Sequence, residues 1–358
     1  MKIGSLFSGV AGLDRAVEAV TGATPAWFVE FDAAPSKVLE RHYPGVPNYG
    51  DVTTVDWSQV EPVDILTAGY PCQPFSHAGK RKGTDDERHL WPYVASAIRA
   101  LRPSLVVLEN VSGHLSLGMG TVLGDCARLG YDARWGVVRA SDAGAPHRRA
   151  RVFILVRPSN TGGRQFAWPT NGLDGLPVAS ERALLPTPRA TDGTKGGPNQ
   201  RGSSGDLMLP SAVQPDNLLP TPTAQAAKHG CTPDVTANGY GSNLRDIPHL
   251  LPTPTRRDHK GRNQRDDDTC LPGAVRDDYG QYGPAITRWE QVIGEPAPPP
   301  TIQGKNGPRL NPDLPRWMMG FPPGWLDGLT PSQQLKAAGN AVCQQQAELA
   351  LRILLGDA

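Results

Sequence analysis

Short apolar runs alternate with helical patterns through the first 157 residues, and this alternation restricts the possible folds more than any other feature. The strand candidates are Lys2–Phe7, Trp27–Glu30, Val63–Ala68, Ser104–Glu109, Trp135–Arg139 and Arg151–Val156. Several are continuously apolar, as expected of strands buried on both faces of a parallel sheet. Between the first two, Leu13, Ala16, Val17 and Val20 fall at i, i+3, i+4 and i+7, and Val94, Ala97, Ile98 and Leu101 repeat the spacing. Both sets make one face of a helix. Strand following helix in this way predicts an α/β fold with a doubly wound, mostly parallel sheet. Ligands of such sheets bind beyond the carboxyl ends of the strands.

The rest of the chain reads differently. Of the 143 residues from 158 to 300, 37 are Gly or Pro, and helical periodicity nearly vanishes. Leu-Pro-Thr-Pro recurs at 185–188, 219–222 and 251–254, each time preceded by Leu. The intervening sequence is too polar for a solenoid, so this stretch is expected to be irregular and loop-rich, with three similar docking segments. Order returns in the aromatic cluster Trp317–Trp325, and Ala341–Leu355 reads as a helix. The expected organisation is a domain of residues 1–157, a second, loop-rich domain of residues 158–310, and a segment 311–358 returning to the first.

Charge and cysteine content bound the function. Thirty-six basic and 35 acidic residues leave a net charge of +1, which excludes a globally basic nucleic-acid coat but not a local basic groove. No apolar run approaches the ~18 residues of a membrane span. The five cysteines form no C-x-x-C pair, which argues against a disulfide framework or a zinc ribbon and for a reduced, cytoplasmic protein without a metal.

Cys72 lies in Thr67-Ala68-Gly69-Tyr70-Pro71-Cys72-Gln73-Pro74-Phe75-Ser76, directly after a buried strand and between two prolines. A thiol at a strand's carboxyl end, on a backbone stiffened by proline, suits a nucleophile that must be aimed. The string continuing to Pro92 resembles the Pro-Cys motif and following loop of the DNA cytosine-5 methyltransferases. Further blocks resemble that family in the same order: Leu6–Leu13, Glu109-Asn110-Val111, His147-Arg148-Arg149-Ala150-Arg151 and Gly339-Asn340-Ala341-Val342. The resemblance covers roughly residues 1–157 and 310–358, and it implies that the middle is a variable target-recognition domain.

The resemblance implies a methyl transfer to carbon 5 of cytosine in duplex DNA, with Cys72 adding to carbon 6. Glu109, kept protonated by burial, would donate to ring nitrogen 3, and Arg149 and Arg151 would hold the cytosine oxygen and steady the catalytic loop. The implied donor is S-adenosylmethionine. The turn after the first strand fits it physically, because small residues let a ligand approach the backbone and a helix N-terminus. Phe7, Gly9, Gly12 and Leu13 belong to that turn. Glu30 is expected at the ribose hydroxyls, Asp51 and Val52 at the adenine, and Asn340 and Ala341 at the far side of the site. Ala11 stands where the family usually has Gly.

A base inside a duplex hides carbon 6, so the target must be flipped out. Lys80 and Arg81, in the loop after Cys72, are candidates for phosphate contacts, and Gln73 and Ser76 for bracing the vacated stack. A second basic cluster comprises Arg256, Arg257, Lys260, Arg262 and Arg265. Other readings are an RNA cytosine-5 methyltransferase, a catalytically inactive DNA-binding regulator on the same fold, and a nicotinamide oxidoreductase. The last is disfavoured because Gly9 and Gly12 supply only part of a G-x-G-x-x-G fingerprint. A monomer is the default, and pairing with a restriction endonuclease is left open.

Overall fold

The computed structural model describes residues 1–71, 90–159, 250–260, 271–274, 279–304 and 307–356. The chain divides into one unit of Met1–Gly172 with Leu250–Ala358 and another of Leu173–His249. All but the first unit lies outside the described residues.

The first unit is built on a six-stranded sheet: β1 (Lys2–Leu6), β2 (Thr24–Val29), β3 (Ile65–Ala68), β4 (Leu105–Val111), β5 (Tyr131–Arg139) and β6 (Ala150–Pro158). The strand order is β2-β1-β3-β4-β6-β5. The four strands from β2 to β4 are parallel, whereas β6 runs antiparallel to both β4 and β5. The mostly parallel α/β class is thus observed. The reversal of β6 has no sequence signature, since an apolar run buried on both faces reads alike in either direction.

Helices cover both faces. Here α1 is Gly12–Thr21, α2 Ala33–His42, α3 Trp91–Leu101 and α4 Met119–Arg128. Farther along, α5 is Gly283–Ile293, α6 Asp313–Met318, α7 Pro331–Asn340 and α8 Gln344–Leu355. On one face Ile3, Ile65, Val107, Phe153 and Leu155 pack with Leu13 and Val17 of α1 and Ala347, Leu351 and Leu354 of α8. On the other, Leu66, Val106, Leu108 and Ile154 pack with Val94 and Ile98 of α3 and Val122 of α4. The C-terminal helix therefore lies beside the first helix of the chain.

Residues 250–310, which composition groups with the variable region, contribute to a third core in this unit. Leu251, Ile286, Trp289, Leu310 and Trp317 pack there with Val10, Phe28 and Leu39. The Trp289 indole donates to the Trp317 carbonyl at 2.8 Å, and that of Trp317 to the Glu295 carbonyl at 3.0 Å. Burying these large rings with their N–H groups satisfied anchors a segment otherwise rich in turns. No helix among the described residues is long and apolar enough to cross a membrane.

Candidate active site

The turn after β1 has three residues in left-handed backbone: Phe7 (φ 53°), Gly9 (φ 54°) and Ala11 (φ 63°). Such a conformation costs a non-glycine residue about 1–2 kcal/mol, which is why glycine suits the position that Ala11 fills. The turn is braced from outside. Gly9 N–H donates to Glu30 Oε2 at 2.7 Å, the Phe7 N–H to the Val29 carbonyl at 2.9 Å, and the Trp325 indole to the Val10 carbonyl at 3.0 Å. Gly12 is forced by close approach, because a Cβ there would lie 2.3 Å from the carbonyl oxygen of Val342.

This turn, the end of β3, the end of β4 and the link between α7 and α8 line one cavity that opens in part to solvent. Phe7, Gly9, Gly12, Leu13, Glu109, Asn340 and Ala341 line it together. Seven of the residues singled out by sequence are thus brought to one space although they span more than 330 positions. Ser5, Asp14, Thr67 and Gly69 also line it and were not singled out. The available signal was a hydroxyl in each of two otherwise apolar strands.

Glu30 directly follows β2 and is joined to the turn through Gly9. Both of its oxygens accept backbone N–H groups, from Gly9 at 2.7 Å and from Asp32 at 2.8 Å, and burial raises its pKa despite them. Each oxygen keeps a second lone pair for a ligand. Phe31 follows it and is 76% exposed, an apolar ring held in the open beside a carboxylate. Asp51 accepts the Thr53 N–H in a local turn at 2.9 Å, and Val52 is buried.

Glu109 and Arg151 meet near the carboxyl end of β4, with Arg151 Nε 2.9 Å from Glu109 Oε1. Sequence alone points to burial for Glu109; the structure adds a charged partner from the antiparallel β6. Next to Glu109, Asn110 donates to the Tyr70 carbonyl at 3.1 Å. Tyr70 is itself held by a 2.8 Å bond to His114 and by packing on Trp91. The chain leading to Pro71 is therefore fixed against β4, and a Cβ on Gly69 would lie 3.6 Å from Glu109 Oε2.

Arg149 is set differently from the sequence expectation. Only 6% exposed and at φ 34°, it donates to the carbonyls of Ala341 (2.6 Å), Gly339 and Pro254 (both 3.3 Å). It clips together three segments of the chain among the described residues. Burial, then the nearby Arg151 cation, lowers its pKa. The third Leu-Pro-Thr-Pro segment packs against the same block: the Leu251 N–H donates to the Pro146 carbonyl at 2.7 Å, and Thr253 Oγ1 accepts from Arg149 N–H at 3.2 Å. Arg256, Arg257 and Lys260 follow on the exposed surface.

Cys72, Gln73, Ser76, Lys80, Arg81, Arg262 and Arg265 lie outside the described residues, as do the first two Leu-Pro-Thr-Pro segments. Among the described residues no group of three or more His, Cys, Asp or Glu could hold a metal ion.

Residues 1–176 match the family model of the C-5 cytosine-specific DNA methylase. The Type II methyltransferase M.NlaIV of Neisseria lactamica is 33% identical over 171 residues, which cover 43% of this chain and 40% of that protein. The Type II methyltransferase M.HhaI of Haemophilus parahaemolyticus is 32% identical over 169 residues, 46% of this chain and 51% of that protein. The chain thus spans about half the length of these curated relatives or less. Among solved structures, the Dnmt2 methyltransferase of S. pombe superposes with a TM-score of 0.54 at 15% identity, covering 98% of this chain and 97% of that one. At such identity the likeness speaks for the fold alone. That match lies over the strands whose carboxyl ends carry the cavity, so residues 1–176 are similar to the C-5 cytosine-specific DNA methylase domain.

Proposed function

We propose that the protein transfers a methyl group from S-adenosylmethionine to carbon 5 of a flipped-out cytosine in duplex DNA. The observation that carries this reading is the convergence of the Phe7–Leu13 turn, Glu109 and Asn340–Ala341 on one cavity, beside the strand end that leads into Cys72. When bound, S-adenosylmethionine supplies an electrophilic methyl group. The residues fit such a donor. The turn at Gly9 is open, since a Cβ there would meet nothing within 4 Å, and Asp14 leaves a buried carboxyl oxygen without a partner in the cavity wall. Glu30 is the acceptor for the ribose hydroxyls, with Phe31, Asp51 and Val52 at the adenine end.

Carbon 5 of cytosine is a weak nucleophile. Addition of the Cys72 thiolate to carbon 6 converts the ring to an enamine, and carbon 5 then takes the methyl group. Loss of the carbon 5 proton and departure of the sulfur restore the ring and the thiolate. Glu109 is the group for the ring nitrogen 3 and exocyclic amine edge, and Arg151, paired to it, is placed for the cytosine oxygen. Arg149, by its three carbonyl bonds, sets the wall rather than the base. Gln73, Ser76, Lys80 and Arg81 are assigned to the DNA, and sequence specificity to the region between 158 and 310. The further reading is of a monomer acting in the cytoplasm, within a restriction-modification system if an endonuclease accompanies it.

The test is transfer of labelled methyl from S-adenosylmethionine to duplex DNA, with bisulfite sequencing of the product. Activity is expected in duplex DNA, and Cys72→Ser is expected to abolish it. A duplex carrying a suicide cytosine analogue should form a covalent adduct with the wild type. Turnover by Cys72→Ser overturns the assigned nucleophile, and preferential methylation of structured RNA in competition overturns the substrate.

A further inference from the structure

Asp14 stands in the first turn of α1 and is 1% exposed. Its Oδ1 accepts from Thr67 Oγ1 at 2.5 Å, and the hydroxyl of Ser5, the register partner of Thr67 across β1 and β3, also favours its charged form. Its Oδ2 is buried and has no donor in hydrogen-bond geometry. The side chain lines the same cavity as Glu109 and Asn340. Burying an unpaired carboxylate is costly, so a free cavity of this kind lacks one positive charge.

The surrounding elements do not supply it. On α1, Glu18 adds a negative field, and Arg15 is engaged with Gln344 Oε1 at 2.8 Å and with the Trp325 ring. Tyr43, bonded to Glu18, brings no positive charge, and the Asp14 carboxylate itself disfavours ionisation of that phenol. β1 and β3 present hydroxyls, Glu109 on β4 is already paired with Arg151, and residues 340–342 carry no charge. Desolvation is the main reason the Asp14 pKa is raised to about 6.

We infer that Asp14 is a cation-binding residue of the donor cavity, its ionised carboxylate taking a positive group of the methyl donor. This rests on the proposed donor, which carries two such groups, an ammonium and a sulfonium. Two consequences follow from linkage. Donor binding drives a proton off Asp14 near pH 6, and affinity falls about tenfold between pH 7 and pH 5. Demethylation removes the sulfonium charge and keeps the ammonium, so the product distinguishes the two groups.

The test is calorimetric titration of the full chain, without DNA, with S-adenosylmethionine and with S-adenosylhomocysteine. It is run from pH 5 to pH 7 in buffers of differing ionisation enthalpy. The wild type should release close to one proton on binding the donor at pH 5. Asp14→Asn should bind at least tenfold more weakly at pH 7 and lose that proton. Because Glu30 also titrates upward, the diagnostic quantity is the difference between wild type and variant. A product that keeps the proton release identifies the ammonium, and one that loses it the sulfonium. Equal affinity and equal proton release in the wild type and a folded Asp14→Asn overturn the inference while leaving the donor intact. The wild-type proton count alone decides if that variant does not fold: no release at pH 5 overturns it. Failure of the wild type to bind either compound is a separate result, which removes the donor reading and the inference with it.

Discussion

The guanidinium of Arg149 donates at 2.6 Å to the carbonyl oxygen of Ala341, joining residues 192 positions apart in the chain. Bonds to the Gly339 and Pro254 carbonyls complete the clip. Removing it would leave buried acceptors unpaired, at about 1–3 kcal/mol for each one that finds no water. Arg149→Met should therefore cost about 2–4 kcal/mol of stability in urea unfolding. Arg149→Lys, which reaches fewer carbonyls, should fall between. A loss under about 0.5 kcal/mol in Arg149→Met would show that the clip carries no weight.

Glu109 and Arg151 form an ion pair with side chains 10% and 18% exposed, so water screens it less than a surface pair. A double-mutant cycle with Glu109→Gln and Arg151→Met should return a coupling of about 1–3 kcal/mol in stability. Both single variants should lose methyl transfer. Additive stabilities would mean that each group answers to other partners.

Gly339 has no room for a side chain. A Cβ there would lie 2.2 Å from the carbonyl carbon of Thr255 and 2.3 Å from the nitrogen of Arg256, and backbone atoms cannot swing aside. Gly339→Ala must push the Thr253–Asp258 turn away from α7, at a cost of about 2 kcal/mol or more. Proteolysis between 250 and 260 should speed up in that variant, and unchanged cleavage would contradict the close packing.

Two buried groups give opposing pH dependences. The Asp14 pKa rises from 3.8 to about 6 on folding, so the folded chain holds that proton more tightly and stability falls as pH rises from about 4 to about 6. The His147 pKa drops from 6.5 to about 3, through burial first and Arg149 second, so stability falls as pH drops below 6.5. Between pH 4 and 6 the two slopes oppose. Asp14→Asn should stabilise the ligand-free protein above pH 6, by up to about 3 kcal/mol, and unmask the acid limb. His147→Gln should unmask the opposite trend. Urea titrations over that range check both, and parallel pH curves for all three proteins would contradict the assignment.

Much of the sheet was legible because its strands are short apolar runs, and the observed β1 and β3 end within a residue or so of where the pattern changes. Glu109 was legible for the same reason, as the first charge after an apolar strand. Asp14 was not: a single acid in a helical pattern reads as solvent-facing until Ser5 and Thr67 are known to sit beneath it. The carbonyl partners of Arg149 were not legible, because nothing in an arginine-rich block tells which guanidinium turns inward. The third Leu-Pro-Thr-Pro segment was visible as a repeat, but not as a neighbour of Arg149.

The sequence alone determined the α/β class, the chemistry-bearing residue types and their place at strand ends, because these follow from local periodicity and short motifs. Tertiary structure decided the reversal of β6, the return of Asn340 and Ala341 to the first turn, and the partners of Glu109, Arg149 and Asp14. Those depend on which distant backbone fills a given space, and local sequence carries no record of what it will touch.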